Sequence, residues 1–560
     1  MYWSLSLVND IGRGVAAGAK RTLCSAKAPA RMCRIAAWVP PLLRQGGLAH
    51  AAPLAAQAKQ YALPLVLALV LAGCAVGPHF HPPSLPRGAS YTLQPTAQPI
   101  STSGIVGGGK QHLELGGDLP GQWWGLFHSS QISALVTRAL AKNPDLLAAQ
   151  AALNQAQENL YAGQSSFFPT LDGGIQTQRE QISGASLGLP SLRPTFTTVS
   201  GALSASYSPD LWGEHRRQVE ELGAQVNYQR FELEDTYLNL TESVVITAIS
   251  IASARGQISI IKKIIASEAN ELDIVRHQFE IGGTSRSDVL QQKAALDYAR
   301  AELPPLIKQR LRLQNQLTAL TGEFPSDNLS TKFSLNKLSL PNHLPVSLPS
   351  ELIEQRPDVR AAQALLHAAS AQVGIATARQ LPQFAITASL GSTASGFTNI
   401  FNSATGIWSI MGGVSQTLFD AGALQDKKRA ANDGLLLATA RYRETVIKAF
   451  QSVSDALHSV LMDANTLDAQ AKAEKSAAQS YDLAKDQYRA GAISYLSLLT
   501  TDRTWQKTKL SLVRAQSARL SDTVTLFQAL GGGWWHRHDA IPNPKKPNII
   551  TFPIIAAFQQ

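Results

Sequence analysis

The stretch "NPDLLAAQAALNQA", residues 143–156, returns later in the chain as "RPDVRAAQALLHAA", residues 356–369. Eight positions are identical at a constant shift of 213 residues: Pro144, Asp145, Ala148, Ala149, Gln150, Ala151, Leu153 and Ala156. Further on, "QFEIGGTS" from Gln278 matches "QYRAGAIS" from Gln487 at a shift of 209. The chain therefore contains two copies of one unit of about 210 residues.

Each copy predicts the same order of elements. An alanine-rich helix begins at the Pro-Asp pair, because proline suits the first helical turn and an early carboxylate faces the positive helix end. The helix ends before Pro169 in the first copy and before Pro382 in the second, where strands begin. Two strands, a very long helix and a returning helix follow.

The strands alternate between apolar and small polar residues. In the first copy the apolar positions are Val199, Gly201, Leu203, Ala205 and Tyr207. In the second copy they are Phe384, Ile386, Ala388, Leu390, Trp408, Ile410, Val414 and Leu418. An ordinary half-buried sheet has this pattern, and so does a membrane barrel with a wet lumen. The loops 182–194 and 392–405 are rich in Gly, Ser and Thr, as exposed hairpin loops are.

After the strands, apolar residues recur at alternating spacings of three and four, as in a heptad seam. The first-copy seam is Tyr237, Leu240, Val244, Thr247, Ile251, Ala254, Ile258, Ile261 and Ile265. The second-copy seam is Val446, Phe450, Val453, Leu457, Val460, Ala464, Leu467 and Ala471. We expect helices from about residues 214 to 280 and 424 to 490. At 1.5 Å per residue each is a rod of roughly 100 Å.

The small number of predicted strands indicates an oligomer. A chain with four strands cannot close a barrel alone, because membrane barrels have at least eight strands and no open edge. Several copies that pool their strands and helices solve the problem. Three copies give twelve strands, although the sequence does not select three over two or four. The predicted fold class is mainly α with a membrane β-barrel, and a trimer would form a twelve-stranded barrel and a long α-helical barrel.

A basic leader precedes the repeats. Residues 1–73 hold eight Lys or Arg against Asp10, and Tyr61 to Gly73 is an apolar run too short to span a bilayer. The leader exceeds the usual length, so we expect the true start downstream of Met1, with Met32 a candidate. Leu71-Ala72-Gly73-Cys74 matches the lipobox of bacterial lipoproteins, in which the cysteine thiol is acylated. Ala75 rather than aspartate predicts delivery to the outer membrane.

Charge and motifs exclude several function classes. The net charge of +10 comes mostly from the leader, which removes the main support for a nucleic-acid partner. The "GIVGGGK" stretch from Gly104 lacks the Ser or Thr that a phosphate loop needs next. The pairs His79/His81 and His536/His538 have no carboxylate partners, so we expect no metal site. No catalytic constellation stands out, and we predict neither an enzyme nor a cofactor other than lipid on Cys74.

At this point the residues resemble a known family. "CAVGPHFHPP", "WWGLFHSSQISALVTRALAKNPDLLAAQ", "AGAISYLSLL" and the closing "LGGGW" are similar to the bacterial outer-membrane factors, the TolC-like efflux ducts, and nearest to their NodT-type lipoproteins. The resemblance runs from Cys74 to about Trp534. It implies a passive homotrimeric channel of the outer membrane, lipid-anchored, with its helical barrel in the periplasm. It also implies a periplasmic adaptor and an inner-membrane RND pump as partners, and drugs or toxic compounds as cargo.

The resemblance also implies roles for particular residues. The helix–turn–helix tips, which meet the adaptor, fall at Gly282, Ser285 and Asp288 and at Gly491 and Ser494. Leu496 matches an apolar ring that closes the periplasmic mouth, with Ser497 and Thr500 where relatives often carry acidic residues. We expect a mostly apolar pore constriction there; the alternative is that Leu496 is ordinary seam packing.

The predicted domains are a leader (1–73), a lipidated extended segment (74–130), a first repeat (131–325), a linker (326–347), a second repeat (348–534) and a flexible tail (535–560). The alternative function is the outer-membrane duct of a type I protein-secretion system. A lipid-anchored cell-wall enzyme would need a catalytic cleft for which the long rods leave little room. A purely structural lipoprotein explains the rods but not the alternating strands.

Overall fold

The structure is a computed structural model that describes residues 75–83, 91, 99, 101–102, 104–183, 185, 188, 191–327 and 333–537. Three predictions fall wholly or mostly elsewhere: the leader, lipidation at Cys74 and the C-terminal tail lie outside the described residues, apart from the first three residues of the tail.

The two copies have the same elements in the same order, as the sequence predicted. The first copy consists of α1 (Ser130–Lys142), α2 (Pro144–Gln164), β2 (Thr170–Gln181), β3 (Thr195–Tyr207), α3 (Glu214–Glu280) and α4 (Arg286–Leu320), after a short strand β1 (His112–Leu115). The second consists of α5 (Pro349–Gln355), α6 (Pro357–Ala378), β5 (Gln383–Ala394), β6 (Gly406–Ser415), α7 (Ala423–Arg489) and α8 (Tyr495–Ala529), after a short strand β4 (His343–Val346).

The corresponding long helices of the two copies have equal lengths. Helices α3 and α7 both have 67 residues, and the returning helices α4 and α8 both have 35. At 1.5 Å per residue, α3 and α7 are each roughly 100 Å long. The predicted rods and the two-fold repeat are confirmed.

The repeated Pro-Asp motif begins α2 and α6 in different ways. In the first copy the Asn143 side chain caps α2 by accepting hydrogen bonds from the N–H groups of Asp145 (2.9 Å) and Leu146 (3.1 Å). In the second copy arginine replaces the cap. The Arg356 guanidinium pairs with Asp358 at 2.7 Å and donates to the carbonyl of Ala529 at 2.9 Å, which ties the start of α6 to the end of α8.

Strands β2, β3, β5 and β6 form one antiparallel sheet in that order. Its register puts the predicted apolar positions of the separate strands on one face. One row across the sheet, for example, is Leu171, Ala205, Ala388 and Ile410, and the neighbouring row is Gly173, Leu203, Leu390 and Trp408. Within the described residues, β2 and β6 pair on one side only, so the sheet has two open edges.

The main core lies where α3, α7 and α8 pack against the shorter helices. Its fully buried side chains include Trp123, Phe127, Ile132, Val244, Ile249, Leu344, Leu352, Val524 and Phe527. The seam residues of α3 and α7 are buried along most of the length that the sequence predicted. This core therefore joins the two long hairpins, α3/α4 and α7/α8.

The sequence did not predict the parallel pairing of β1 with β4, in which His112 lies opposite His343. This pairing joins the segment before the first repeat to the segment between the repeats. The buried Arg519 of α8 fixes the same region by donating to the Gly109 carbonyl (3.1 Å) and to the Gln111 side chain (3.3 Å).

Candidate functional site

The tip of the first long hairpin is a tight turn between α3 and α4. The N–H of Gly283 donates to the Gln278 carbonyl (2.7 Å) and the N–H of Gly282 donates to the Phe279 carbonyl (3.1 Å), which is a Schellman ending. Gly282 has a φ of 79°, a left-handed conformation that favours glycine. The predicted tip residue Gly282 therefore has a structural reason to be glycine.

Helix α4 begins from this turn with a capping box. The Ser285 hydroxyl accepts from the Asp288 N–H at 3.2 Å, and the Asp288 carboxylate accepts from the Ser285 N–H at 3.2 Å. The carboxylate also accepts from the hydroxyls of Ser285 (2.7 Å) and Thr284 (2.8 Å). These hydrogen bonds, that from Ser285 foremost, lower the pKa of Asp288 below its ordinary value.

The second tip repeats the same backbone geometry with different side chains. The N–H groups of Ala492 and Gly491 donate to the carbonyls of Gln487 and Tyr488, both at 2.9 Å, and Gly491 has a φ of 72°. Ser494 caps α8 by accepting from the Ser497 N–H at 3.3 Å. Ser497 thus occupies the position that Asp288 has in the first tip and supplies a hydroxyl where Asp288 supplies a charge.

The three predicted constriction residues lie on the first turns of α8 and are exposed. The Leu496 side chain is 54% exposed, although most large apolar side chains nearby on α8 are buried. The Thr500 hydroxyl donates back to the Leu496 carbonyl at 2.8 Å, which satisfies it within the helix. Leu496 and Thr500 are one turn apart, so this face of α8 presents an apolar side chain flanked by neutral hydroxyl groups.

Behind the second tip lies a buried polar network that links the two hairpins. Gln292 of α4 donates to the Glu268 carboxylate of α3 at 2.6 Å, and Gln506 of α8 donates to the other oxygen of the same carboxylate at 3.1 Å. Gln506 also donates to Asp502, and the Tyr495 hydroxyl donates to Gln292. Glu268 and Asp502 are only 2% and 4% exposed.

The surroundings of one carboxyl group in the network favour its protonated form. Burial, followed by the negative charges of Glu268 and Glu271, raises the pKa of Asp502 to about 8. Burial and the charge of Glu268 also raise the pKa of Glu271, whose carboxylate accepts from the Tyr481 hydroxyl at 3.3 Å. Sequence reasoning missed this network, and no local pattern marks it, since Glu268, Gln292 and Asp502 belong to three different helices.

At the other end of the rods, residues 75–77 are fixed at the base of the sheet. The N–H of Val76 donates to the Trp212 carbonyl at 3.0 Å, and the buried Arg217 side chain donates to the Val76 carbonyl at 3.1 Å. A Cβ on Gly213 would lie 2.6 Å from the Cα of Ala75, so only glycine permits this approach. Ala75 therefore lies directly beside the junction of β3 and α3.

The four-stranded sheet leaves one face apolar and exposed. We call this face, defined by Leu171, Ile175, Leu203, Leu390, Trp408, Ile410 and Val414, the outward face. Trp408 is 74% exposed on it. The opposite face carries mostly small and polar residues, among them Asp172, Gln176, Ser200 and Ser389, with Phe196, Ile407 and Met411 as exceptions. Within the described part of the chain, no group of three or more His, Cys, Asp or Glu side chains could hold a metal ion.

Residues 135–323 and 348–532 both match the outer membrane efflux protein family. The two matched ranges correspond to the two structural repeats and together cover well over half of the chain.

Curated proteins of efflux systems are similar along most of the chain. The pyoverdine export outer membrane protein OpmQ of Pseudomonas putida is 30% identical over 425 residues, which is 74% of this chain and 89% of OpmQ. The probable efflux pump outer membrane protein TtgC of the same species is 26% identical over 479 residues, 84% of this chain and 95% of TtgC.

Solved structures share the fold. The outer-membrane channel OprN superposes with a TM-score of 0.75 at 24% identity, covering 82% of this chain and all of OprN. The CmeC outer membrane channel of Campylobacter jejuni gives a TM-score of 0.75 at 21% identity over 83% of this chain and 96% of CmeC. The chain is thus a non-enzymatic outer-membrane channel component of an efflux pump, and it belongs to the outer membrane efflux protein family.

Proposed function

We propose that three copies of this chain close a twelve-stranded barrel and continue it as a helical tube that serves as a passive export duct. The observation that carries the proposal is the four-stranded sheet with two open edges and an exposed apolar face. A membrane offers no water to satisfy unpaired strand edges, so the edges of β2 and β6 must pair with other copies. The strand lengths of 10–13 residues suit a tilted membrane strand.

The helical tube is supported by apolar side chains that one copy leaves uncovered. Leu436, Leu437, Ile447 and Met462 are exposed on α7, away from the buried seam of that helix. Exposed apolar side chains in rows along a rod are typical of a surface that another helix covers. We propose that neighbouring copies pack α7 and α4 side by side and bury these residues.

The N-terminal anchor is part of the same proposal. Residues 75–77 are held beside the β3–α3 junction, where the apolar sheet meets the helices. A lipid on Cys74 would start one residue from that junction and enter the membrane at the level of the strand ends. Two or three acyl chains on one cysteine make a durable anchor.

We propose that both tips dock the periplasmic adaptor and that the second tip also narrows the pore. The first tip, with Gly282, Ser285 and the charged Asp288, and the backbone turn at Gly491 and Ser494 dock the periplasmic adaptor. Leu496 with Ser497 and Thr500 forms the narrowest part of the pore, since its exposed apolar side chain repeats once per copy around the axis. The cargo is drugs or other toxic compounds that an inner-membrane RND pump supplies, in keeping with the efflux proteins to which the chain is similar. The proposed division of the chain is a leader (1–73), a lipidated segment (74–130), a first repeat (131–325), a linker (326–347), a second repeat (348–534) and a flexible tail (535–560).

Single-channel recording on the purified mature protein in a planar bilayer tests the duct directly. We expect small, stable conductance steps that are set by the closed periplasmic mouth. Absence of any channel at protein concentrations that insert in the bilayer would overturn the proposal. A deletion strain complemented in trans tests the cargo: restored resistance to toxic compounds supports efflux, and restored secretion of a protein instead supports a type I secretion duct.

A further inference from the structure

The outward face carries one charged side chain among the described strand residues, and this is Arg179. Arg179 lies near the end of β2 that is far from the helices, opposite Thr197 of β3. The carboxylates of the same sheet, Asp172 and Glu180, lie on the opposite face. The outward face therefore presents an apolar band with a single positive charge at one end.

A groove crosses the outward face next to Arg179, on the side nearer to the helices. One register row consists of Ile175, Gly201, Ser392 and Gly406, so it lacks large side chains on three strands. The loop between β5 and β6 folds back over the row. Its Ile400 side chain reaches 3.3 Å from where a Cβ on Gly201 would lie and is buried together with Val199 and Ala394.

The groove is apolar and open on one side. It encloses about 810 Å³ between Ile175, Leu203 and Leu390 on the sheet and Phe397 and Phe401 on the loop. The two phenylalanines are 63% and 95% exposed. The groove spans β2, β3 and β5 on one face of the sheet. A neighbouring copy that pairs through the edges of β2 and β6 extends the sheet sideways and leaves this face uncovered.

We propose that this groove binds an acyl chain of a phosphorylated glycolipid of the outer leaflet, with Arg179 contacting a phosphate of the headgroup. The inference rests on the proposed barrel, in which the sheet end far from the helices faces the outside. Arg179 follows Ile175 by four positions, which is roughly 14 Å along an extended strand. That is the spacing of a headgroup above the upper part of its acyl chain, and a guanidinium binds phosphate in a bidentate manner.

Native mass spectrometry of the purified mature protein tests this assignment. The probes are bisphosphorylated lipid A, the same lipid without phosphates, and phosphatidylglycerol. We expect lipid A to bind about tenfold more tightly than either of the others, and Arg179→Gln to abolish the difference between lipid A with and without its phosphates. Ile400→Ser, which opens the loop, should weaken all acyl-chain binding, while Arg300→Gln on the surface of α4 should bind as the wild type does.

Equal affinity of the wild type and Arg179→Gln for lipid A would overturn the assignment, and so would phosphatidylglycerol that binds as tightly as lipid A. The same spectra count the copies in each particle. A monomer would therefore refute the proposed barrel, whereas a trimer without selective lipid binding would refute only the lipid site.

Discussion

The two hairpin tips share one backbone and differ in the side chains it presents. Both end their long helix in a Schellman turn at a glycine with positive φ, and both begin the returning helix at a capping serine. Asp288 in the first tip corresponds to Ser497 in the second, and the exposed Ser287 corresponds to the exposed Leu496. Duplication thus preserved the turn, whose geometry is demanding, and freed the outer side chains for different roles.

The difference extends to the network behind the tips. Asp502 is buried among Glu268, Glu271 and Tyr495, whereas its counterpart in the first copy, Lys293, is exposed. At this pair of equivalent positions, α8 therefore has a buried carboxyl group next to Glu268, whereas α4 has an exposed ammonium group. The comparison therefore predicts that the second tip controls the pore and responds to pH, and that the first does not.

Leu496→Ser should have the largest effect on function. Removal of the apolar side chain lets water and ions into the proposed constriction, so the leak conductance of single channels should rise several-fold. Ser287→Ala at the matching position of the first tip should leave conductance at the wild-type level. A leak that is unchanged in Leu496→Ser would mean that this side chain only packs against neighbouring helices.

Asp502→Asn should remove the pH dependence of the stability of α8. Because the folded-state pKa is raised to about 8, the native state holds a proton that the unfolded state releases near pH 4. This contribution to stability is fully present below about pH 4 and is lost as pH rises through 8, at about 1.4 kcal/mol per pKa unit as an upper bound. Hydrogen exchange of α8 amides should therefore accelerate between about pH 4 and 8 and level off above pH 8, after correction for the intrinsic rate.

The Asp502→Asn variant should show no such acceleration, since asparagine does not titrate. Lys293→Ala is the matched control and should retain the wild-type pH profile. An Asp502→Asn protein whose corrected exchange still accelerates over this range would show that another group near Glu268 is responsible.

Gly282→Ala and Gly491→Ala test the backbone turn that the two tips share. Each places a Cβ at a left-handed residue, which costs about 1–2 kcal/mol, and neither Cβ would meet an atom within 4 Å. Exchange at the two tips should increase by similar factors. If hydrogen exchange at a tip is the same with alanine, the stability of that tip does not depend on its Schellman turn.

Alanine substitutions of the capping residues should have the smallest effects on the local stability of the tips. These effects should differ in size between the two tips. Loss of a serine cap costs about 1 kcal/mol, so Ser285→Ala and Ser494→Ala should loosen their own tips to a similar extent. Asp288→Ala should also loosen the first tip, because its carboxylate accepts three local hydrogen bonds, one of which belongs to the capping box. Ser497→Ala should change the second tip less, and the reverse order would contradict the role of the charge.

Much of the fold could be predicted from the sequence because its signals are long and periodic. The repeat at Pro144 and Pro357, the heptad seams and the alternating strands each depend on many residues at regular spacing. The tip turns were also predictable, since a glycine followed by a capping serine has one common geometry.

The remaining features depend on contacts between distant segments. Glu268, Gln292 and Asp502 are separated by up to 234 residues in the sequence and meet only when the two hairpins pack together. The pairing of β1 with β4, and the loop whose Ile400 covers Gly201, have no local pattern that specifies their partners. The interhelical network and the groove could therefore be found only in the folded chain.

The central claim is that copies of this chain share one barrel wall, and the mass of the assembled mature protein tests it most directly. Native mass spectrometry from detergent should give a particle of three copies, each with an acylated N-terminal cysteine. A protein that remains monomeric under conditions where its helices are intact would leave the edges of β2 and β6 unpaired and would contradict the account.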